Sequence, residues 1–134
     1  MTTAGTLIRI VIADDSPVFL RTVCSFLNQY SRVEVVATAA TAADALHAVD
    51  RLRPDLVLLD FQMPVMNGLE TMVQIHRQSP ATRVVLLTGH DTPELREASL
   101  EGGAIAFISK LDLSRELPAL LAKITASRGN DLVS

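Results

Sequence analysis

The sequence has a single cysteine, only two lysines and no long apolar run. With Cys24 alone, the chain has neither an internal disulfide bond nor a cysteine-based metal site. Its apolar runs, such as residues 7–13 and 56–59, are far shorter than the roughly 20 residues that a membrane-spanning helix needs. The amino terminus lacks the basic start and the uninterrupted apolar stretch of a secretory signal. These absences predict a cytoplasmic protein without a membrane partner.

Basic residues are too few and too scattered for a nucleic-acid-binding surface. The formal net charge is -3 at pH 7 and the pI is about 5.5, whereas broad electrostatic binding of nucleic acid requires clustered lysine and arginine. We therefore expect no direct contact with nucleic acid. The two lysines are Lys110 and Lys123. Because lysine is so scarce, the position of Lys110 is informative.

The sequence does contain an alternation of short apolar runs and longer segments with helical periodicity. Its 134 residues, 49% of them hydrophobic, suffice for one domain with a substantial core. The alternation is typical of βαβ units, and the nearly continuous apolarity of the short runs predicts parallel strands buried on both faces. The five predicted strands comprise residues 7–13, 33–37, 56–60, 84–88 and 105–109.

Five helices are predicted between and after these strands. Ser16 and Pro17 suit the cap and the first turn of a helix, while Pro54 and Pro80 prevent the two preceding helices from continuing. The predicted helices comprise residues 17–30, 41–52, 68–78, 92–103 and 114–127. Right-handed crossovers then give an α/β fold with a doubly wound parallel sheet, in which ligands bind beyond the carboxyl ends of the strands.

Acidic and hydroxyl-bearing residues stand where the predicted strands end. Asp14 and Asp15 follow the first strand, Asp60 ends the third, Thr88 ends the fourth and Lys110 follows the fifth. Three carboxylates at one edge of a sheet repel one another unless a cation neutralises them. An oxygen-only site with few protein ligands suits Mg²⁺, with Mn²⁺ as a substitute. A metal-bound carboxylate can then attack a phosphoryl group, whose oxygens a lysine and a hydroxyl stabilise.

Each of these residues also has an ordinary structural explanation when it is taken alone. Asp14 and Asp15 suit a turn and helix cap, Asp60 suits a loop, Thr88 suits a cap and Lys110 suits a solvated surface. Independent caps have no reason to meet at one edge of a sheet. The joint placement therefore favours a functional site.

Four motifs lie at the ends of the predicted strands. They are Ile-Ala-Asp-Asp-Ser-Pro (12–17), Leu-Leu-Asp-Phe-Gln-Met-Pro-Val-Met-Asn-Gly (58–68), Leu-Leu-Thr-Gly (86–89) and Phe-Ile-Ser-Lys (107–110). Together they make residues 7–127 resemble the response-regulator receiver family of two-component signalling. The resemblance implies a flavodoxin-like doubly wound (βα)5 fold with strand order 2-1-3-4-5. We expect residues 1–6 to be a flexible terminus and the polar residues 128–134 to be a tail or the start of a linker.

The resemblance implies a phosphoacceptor rather than an enzyme. Asp60 would accept a phosphoryl group from a sensor histidine kinase or a phosphotransfer protein. Asp15 would ligate Mg²⁺ directly and Asp14 would assist, often through water. The main-chain carbonyl of Gln62 would complete the protein ligands.

The resemblance also implies a switch. Thr88 and Lys110 would contact the phosphoryl group, and Phe107 would be the switch aromatic that moves with Thr88. The conformational change would control output through dimerisation or partner docking. Gln62 and His90 occupy positions that in the family flank the path of the attacking water, so they are predicted to set the lifetime of the phosphoryl group.

One position departs from many receivers, which place a proline in a cis peptide after this lysine. Leu111 stands there instead, and a cis bond to it would cost roughly 3 kcal/mol more than a trans bond. The non-proline residue resembles the NarL-like class, whose members usually carry a DNA-binding helix-turn-helix after the receiver. Any contact with DNA would therefore come only through an output domain.

Three other classes of protein fit parts of this pattern. A phosphohydrolase of the haloacid-dehalogenase kind also uses Mg²⁺ and an aspartate nucleophile, but it needs a second aspartate two residues later, where Gln62 stands. A binding module could keep the fold without phosphorylation, although all five expected side chains are present. A flavin-binding module would need a Ser/Thr-rich phosphate loop after the first strand. The receiver interpretation is favoured over all three.

Overall fold

A five-stranded parallel sheet forms the centre of the protein in the computed structural model, which describes residues 7–133 and, of these, the side chains of residues 7–127. The strand order is β2-β1-β3-β4-β5, which confirms the predicted order. The strands are β1 (Ile8–Ala13), β2 (Val33–Ala39), β3 (Leu56–Asp60), β4 (Arg83–Thr88) and β5 (Ala106–Ser109). The predicted flexible terminus at residues 1–6 lies outside the described residues.

Each strand is followed by a helix, as the alternation predicts. The helices are α1 (Pro17–Leu27), α2 (Ala42–Leu52), α3 (Gly68–Gln78), α4 (Pro93–Glu101) and α5 (Leu113–Val133). Side-chain oxygens cap the first four helices, and each accepts a hydrogen bond from a backbone N–H of the first turn; the capping residues are Ser16, Thr41, Asn67 and Thr92. Within the described part of the chain, no helix combines the length and the apolarity that crossing a membrane requires.

Several element ends differ from the prediction. Helix α1 ends at Leu27 rather than at residue 30, because the chain leaves the helix in a tight turn that keeps Tyr30 against Phe26, with ring centroids 5.6 Å apart. Apolar periodicity does not distinguish such a turn from another helical turn. Strand β2 extends to Ala39 because it pairs with β1 as far as that residue. Helix α5 continues past the predicted end at residue 127 to Val133.

The core has two halves because strand side chains alternate between the faces of the sheet. On one face, Val11 and Leu59 pack with residues of α2 and α3. On the other face, Ile10 and Leu58 pack with residues of α1 and α5. The layers leave only the edges of the sheet free, so the residues at the carboxyl ends of the strands meet between the helices.

Candidate functional site

An acidic cluster lies at the carboxyl edge of the sheet. Strands β1 and β3 are neighbours, paired through Ala13 and Leu59, so the residues that follow them converge. One carboxylate oxygen from each of Asp14, Asp15 and Asp60 lies within 4.8 Å of the other two. Asp14 is fully buried and Asp60 is 4% exposed, whereas Asp15 is open to solvent. The structure thus brings together the three aspartates that the sequence singled out, and they could hold a metal ion.

Backbone N–H groups of the following turns fix both buried carboxylates. The Ser16 N–H donates to Asp14 Oδ1 over 2.8 Å, and the Gln62 N–H donates to Asp60 Oδ1 over 3.3 Å. In addition, the Phe61 N–H donates to the carbonyl of Leu87 over 2.7 Å, which extends the pairing of β3 with β4. Each carboxylate is therefore oriented by the backbone that immediately follows its strand.

Lys110 pairs with two of the three aspartates. Its Nζ lies 2.6 Å from Asp14 Oδ2 and 3.6 Å from Asp60 Oδ1. The residue begins a short 3-10 turn, Lys110–Asp112, that leads into α5, and its peptide bond to Leu111 is trans. One ammonium among three carboxylates leaves the cluster with an excess of negative charge. A divalent cation would neutralise that excess.

The pKa of Asp60 is raised above its ordinary value. Burial is the main cause, and the negative charge of Asp14 adds to it, with a smaller contribution from Asp15. The Lys110 ammonium and the N–H of Gln62 act in the opposite direction. Asp60 therefore stands where its negative charge is costly, as is common for a reactive carboxylate.

Thr88 is fully buried at the end of β4, next to the strand that ends in Asp60. Its hydroxyl donates to the carbonyl of His90 and accepts from the His90 N–H, both over 2.9 Å. The hydroxyl is thus bonded within its own loop. His90 and Gln62 are both exposed, in the loops that follow β4 and β3.

Phe107 lies inward, 2% exposed, in the half of the core that α2 and α3 cover. The guanidinium carbon of Arg96 lies 5.2 Å from the centroid of the Phe107 ring. Arg96 also pairs with Asp91 over 2.9 Å. Sequence reasoning missed Arg96, because its contact with the ring joins α4 to β5 and no local pattern marks it.

Comparison with known proteins identifies the family. Residues 10–122 match the family model described as the response regulator receiver domain. The chain belongs to this family. It is 36% identical over 133 residues to a protein-glutamate methylesterase/protein-glutamine glutaminase of Geobacillus kaustophilus, covering 92% of this chain and 38% of that protein. A protein of Mycobacterium tuberculosis named probable transcriptional regulatory protein NarL is 32% identical over 127 residues, which cover 95% of this chain and 58% of the relative.

A solved receiver domain has the same fold. The signal receiver domain of the response regulator NarL from Mycobacterium tuberculosis superposes with a TM-score of 0.82 at 31% identity, covering 90% of this chain and 97% of that one. This likeness confirms the flavodoxin-like doubly wound fold and the receiver family. The chain spans less than two thirds of the length of either curated relative, and their names describe two different outputs.

Proposed function

We propose that this receiver domain accepts a phosphoryl group on Asp60 from a sensor histidine kinase or a phosphotransfer protein. The observation that supports this proposal is the contact of one ammonium, that of Lys110, with two buried carboxylates, those of Asp14 and Asp60. An Asp60 oxygen would attack phosphorus as the bond from phosphorus to the donor nitrogen breaks. The transfer leaves an acyl phosphate on Asp60 and a neutral histidine on the donor.

The acidic cluster fits a hard divalent cation with oxygen ligands. We propose Mg²⁺, with Mn²⁺ as a substitute, held by Asp15 and Asp60, with Asp14 assisting and the main-chain carbonyl of Gln62 completing the set. Bound there, the ion would offset negative charge on the phosphoryl oxygens. Lys110 would pair with one of those oxygens from its place beside Asp60.

The switch residues are proposed to act as a linked pair. Phosphorylation would draw the Thr88 hydroxyl from His90 toward the phosphoryl group, and Phe107 would then leave its buried position. The phosphoryl group favours the active form only by its stronger interaction with that form, so some activity without phosphate is expected. Output would follow through dimerisation or partner docking, and contact with DNA only through an output domain. The chain would act as a phosphoacceptor rather than as an enzyme.

Intact-mass measurement after incubation with acetyl phosphate and Mg²⁺ tests the phosphoacceptor. The wild-type chain is expected to gain one phosphoryl group, and Asp60→Asn is expected to gain none. Asp50→Asn, which changes an aspartate on the exposed surface of α2, is the matched control and should be labelled like the wild type. A mass gain that survives in Asp60→Asn would overturn the proposal. Repeated turnover of a generic phosphate ester would instead favour the phosphohydrolase class.

The lifetime of the acyl phosphate is predicted to depend on the exposed side chains of Gln62 and His90. We expect dephosphorylation to change about three-fold or more in Gln62→Ala or His90→Ala, because each residue flanks the proposed path of water to Asp60. The decay of the phosphorylated mass measures this rate. Unchanged rates in both variants would contradict the assignment.

A further inference from the structure

The Lys110 ammonium touches an aromatic ring as well as two carboxylates. Its Nζ lies 4.3 Å from the centroid of the Phe19 ring, in addition to its contacts with Asp14 and Asp60. Phe19 belongs to the first turns of α1 and packs, partly buried, against the half of the core that α1 and α5 cover. The side chain of Lys110 is only 25% exposed. The ring therefore forms one wall of the position that the ammonium occupies.

One short turn positions both Asp14 and Phe19 against this ammonium. The Ser16 N–H fixes Asp14 Oδ1, and the Ser16 hydroxyl accepts from the Phe19 N–H over 3.2 Å as the cap of α1. The carboxylate and the ring are thus held by hydrogen bonds of the same residue. Lys110 follows β5, an edge strand that is three positions away from β1 in the sheet.

The Phe19 ring can hold the Lys110 ammonium when a bound cation occupies the carboxylates. Lysine has a long flexible stem, and an ammonium is attracted to the face of an aromatic ring. A divalent cation at the acidic cluster would compete with Lys110 for the oxygens of Asp14 and Asp60 and would repel its positive charge. The contact of Lys110 with the Phe19 ring involves no oxygen atom. A cation bound by the carboxylates therefore does not compete for this contact.

We propose that Phe19 is a positioning residue that holds the Lys110 ammonium beside Asp60 during phosphoryl transfer. This inference rests on the proposed phosphoacceptor function. A cation bound at the acidic cluster would weaken the ion pair between Lys110 and Asp14. The Phe19 ring would then keep the Lys110 side chain from moving into solvent. Lys110 then remains where an incoming phosphoryl oxygen needs a positive charge.

The first test observes the lysine itself, in protein that is not phosphorylated. Because the sequence has only two lysines, the full chain made with side-chain-labelled lysine gives two NMR signals, and the exposed Lys123 is an internal reference. The Lys110 signal is expected to show a ring-current shift that disappears in Phe19→Leu and persists in Phe19→Tyr. Tyr30→Leu, which removes a ring beyond the carboxyl end of α1, should leave the Lys110 signal in place. An unchanged Lys110 signal in Phe19→Leu would overturn the proposal.

The second test measures the rate of labelling by acetyl phosphate with Mg²⁺. Phe19→Leu is expected to be labelled about two- to ten-fold more slowly than the wild type, the range that a cation–π contact implies. Phe19→Tyr should stay within about two-fold, because a tyrosine ring also attracts an ammonium. If Phe19→Tyr is as slow as Phe19→Leu, or if both match the wild type, the positioning role is wrong.

The two tests also separate this inference from the proposed function. A wild-type chain that acetyl phosphate does not label would contradict the phosphoacceptor function, and positioning for transfer would fail with it. Labelled wild type together with unaffected Phe19 variants would contradict the positioning role alone. An unchanged far-UV circular dichroism spectrum of each variant at the assay temperature shows that the fold is intact, so a slow Phe19→Leu variant is then not explained by unfolding.

Discussion

The negative charge of Asp60 is almost completely buried, and it lies beside the buried carboxylate of Asp14. The folded protein raises the pKa of this group, mainly by burial. Among the described residues, the ammonium of Lys110 and the backbone N–H of Gln62 oppose the effect. The sequence indicated which residues stand at this edge. It could not indicate that Asp60 and Asp14 would be buried while Asp15 stays exposed, because burial depends on the loops packed around them.

Replacing the Asp60 carboxylate by an amide is predicted to stabilise the fold. Since the pKa of Asp60 is raised above its ordinary value of 3.8, the folded state binds this proton more tightly than the unfolded chain does. The ionised group therefore lowers stability as pH rises from that value to the folded-state pKa, and the loss persists above it. In a buffer with a chelator at pH 7, Asp60→Asn should melt about 2–5 °C higher than the wild type.

The pH dependence of this difference is the sharper measurement. The gap in melting temperature should shrink as pH falls from the folded-state pKa of Asp60 to its ordinary value of 3.8, and it should be absent below that value, because the carboxyl group is then protonated in both the folded and the unfolded state. Asp50→Asn, at an exposed position, should show no comparable gain at neutral pH. A melting temperature of Asp60→Asn equal to that of the wild type at pH 7 would contradict the cost assigned to the buried charge.

At the scale of elements, the loop between β3 and α3 depends on close backbone contact. The Gly68 N–H donates to the carbonyl of Phe61 over 2.8 Å, and a Cβ at Gly68 would lie 2.8 Å from Phe61 Cα. The start of α3 therefore packs directly against Phe61, the residue that follows Asp60. In the same loop, Val65 has φ of 76° and is fully exposed, a strained conformation for a β-branched residue.

Gly68→Ala is predicted to destabilise the protein by about 1–3 kcal/mol, because the added methyl group would push against backbone that cannot move freely. Gly89 provides the matched control, since a Cβ there meets nothing within 4 Å. Gly89→Ala should change the free energy of unfolding by less than about 0.5 kcal/mol. Urea unfolding measures both, and equal effects of the two changes would show that the contact of Gly68 with Phe61 is not tight.

The contact between α4 and β5 is predicted to restrain Phe107, the proposed switch aromatic. Arg96 lies over the Phe107 ring while it pairs with Asp91. Removing the guanidinium in Arg96→Ala should raise the population of an outward Phe107 about two- to five-fold, the range that a partly exposed cation–π contact implies.

Fluorine NMR can follow this population, because the chain has only four phenylalanines. With fluorinated phenylalanine, the Phe107 signal should broaden or divide in Arg96→Ala. Arg115→Ala is the control, since Arg115 is exposed and its ion pairs with described residues are those with Asp112 and Glu116, both close to it in the chain. A Phe107 signal that is the same in both variants would contradict the prediction that Arg96 holds Phe107 in its buried position.

At the scale of the whole molecule, the parallel sheet determines where charge accumulates. The adjacent strands β1 and β3 deliver three carboxylates to one edge, and β5 delivers one lysine. Burial leaves the carboxylates of Asp14 and Asp60 little freedom to move apart. A bound divalent cation should therefore relieve repulsion in the folded state and stabilise the entire domain.

Adding Mg²⁺ is predicted to raise the melting temperature by about 7–12 °C when the metal exceeds its dissociation constant a hundred-fold, and a chelator should reverse the change. Asp15→Asn should lose most of this gain, because the substitution removes the exposed carboxylate of the cluster. Asp112→Asn alters an aspartate that pairs with Arg115 instead and should keep the gain. A metal response that Asp15→Asn leaves intact would exclude this site.

The sequence by itself determined the alternation of strands and helices, most of their boundaries to within one residue, and the residues at the carboxyl ends of the strands. These features follow from periodicity and turn chemistry within a few neighbouring residues. The ends of α1 and α5 escaped prediction, since periodicity does not show where a helix stops.

Only the tertiary structure decided which groups touch. It alone brought Lys110 to Asp14 and Phe19, placed Arg96 over Phe107, and bonded the Thr88 hydroxyl within its own loop. The charge and ring contacts join residues from different elements, whose approach depends on how the helices pack against the sheet rather than on any local pattern.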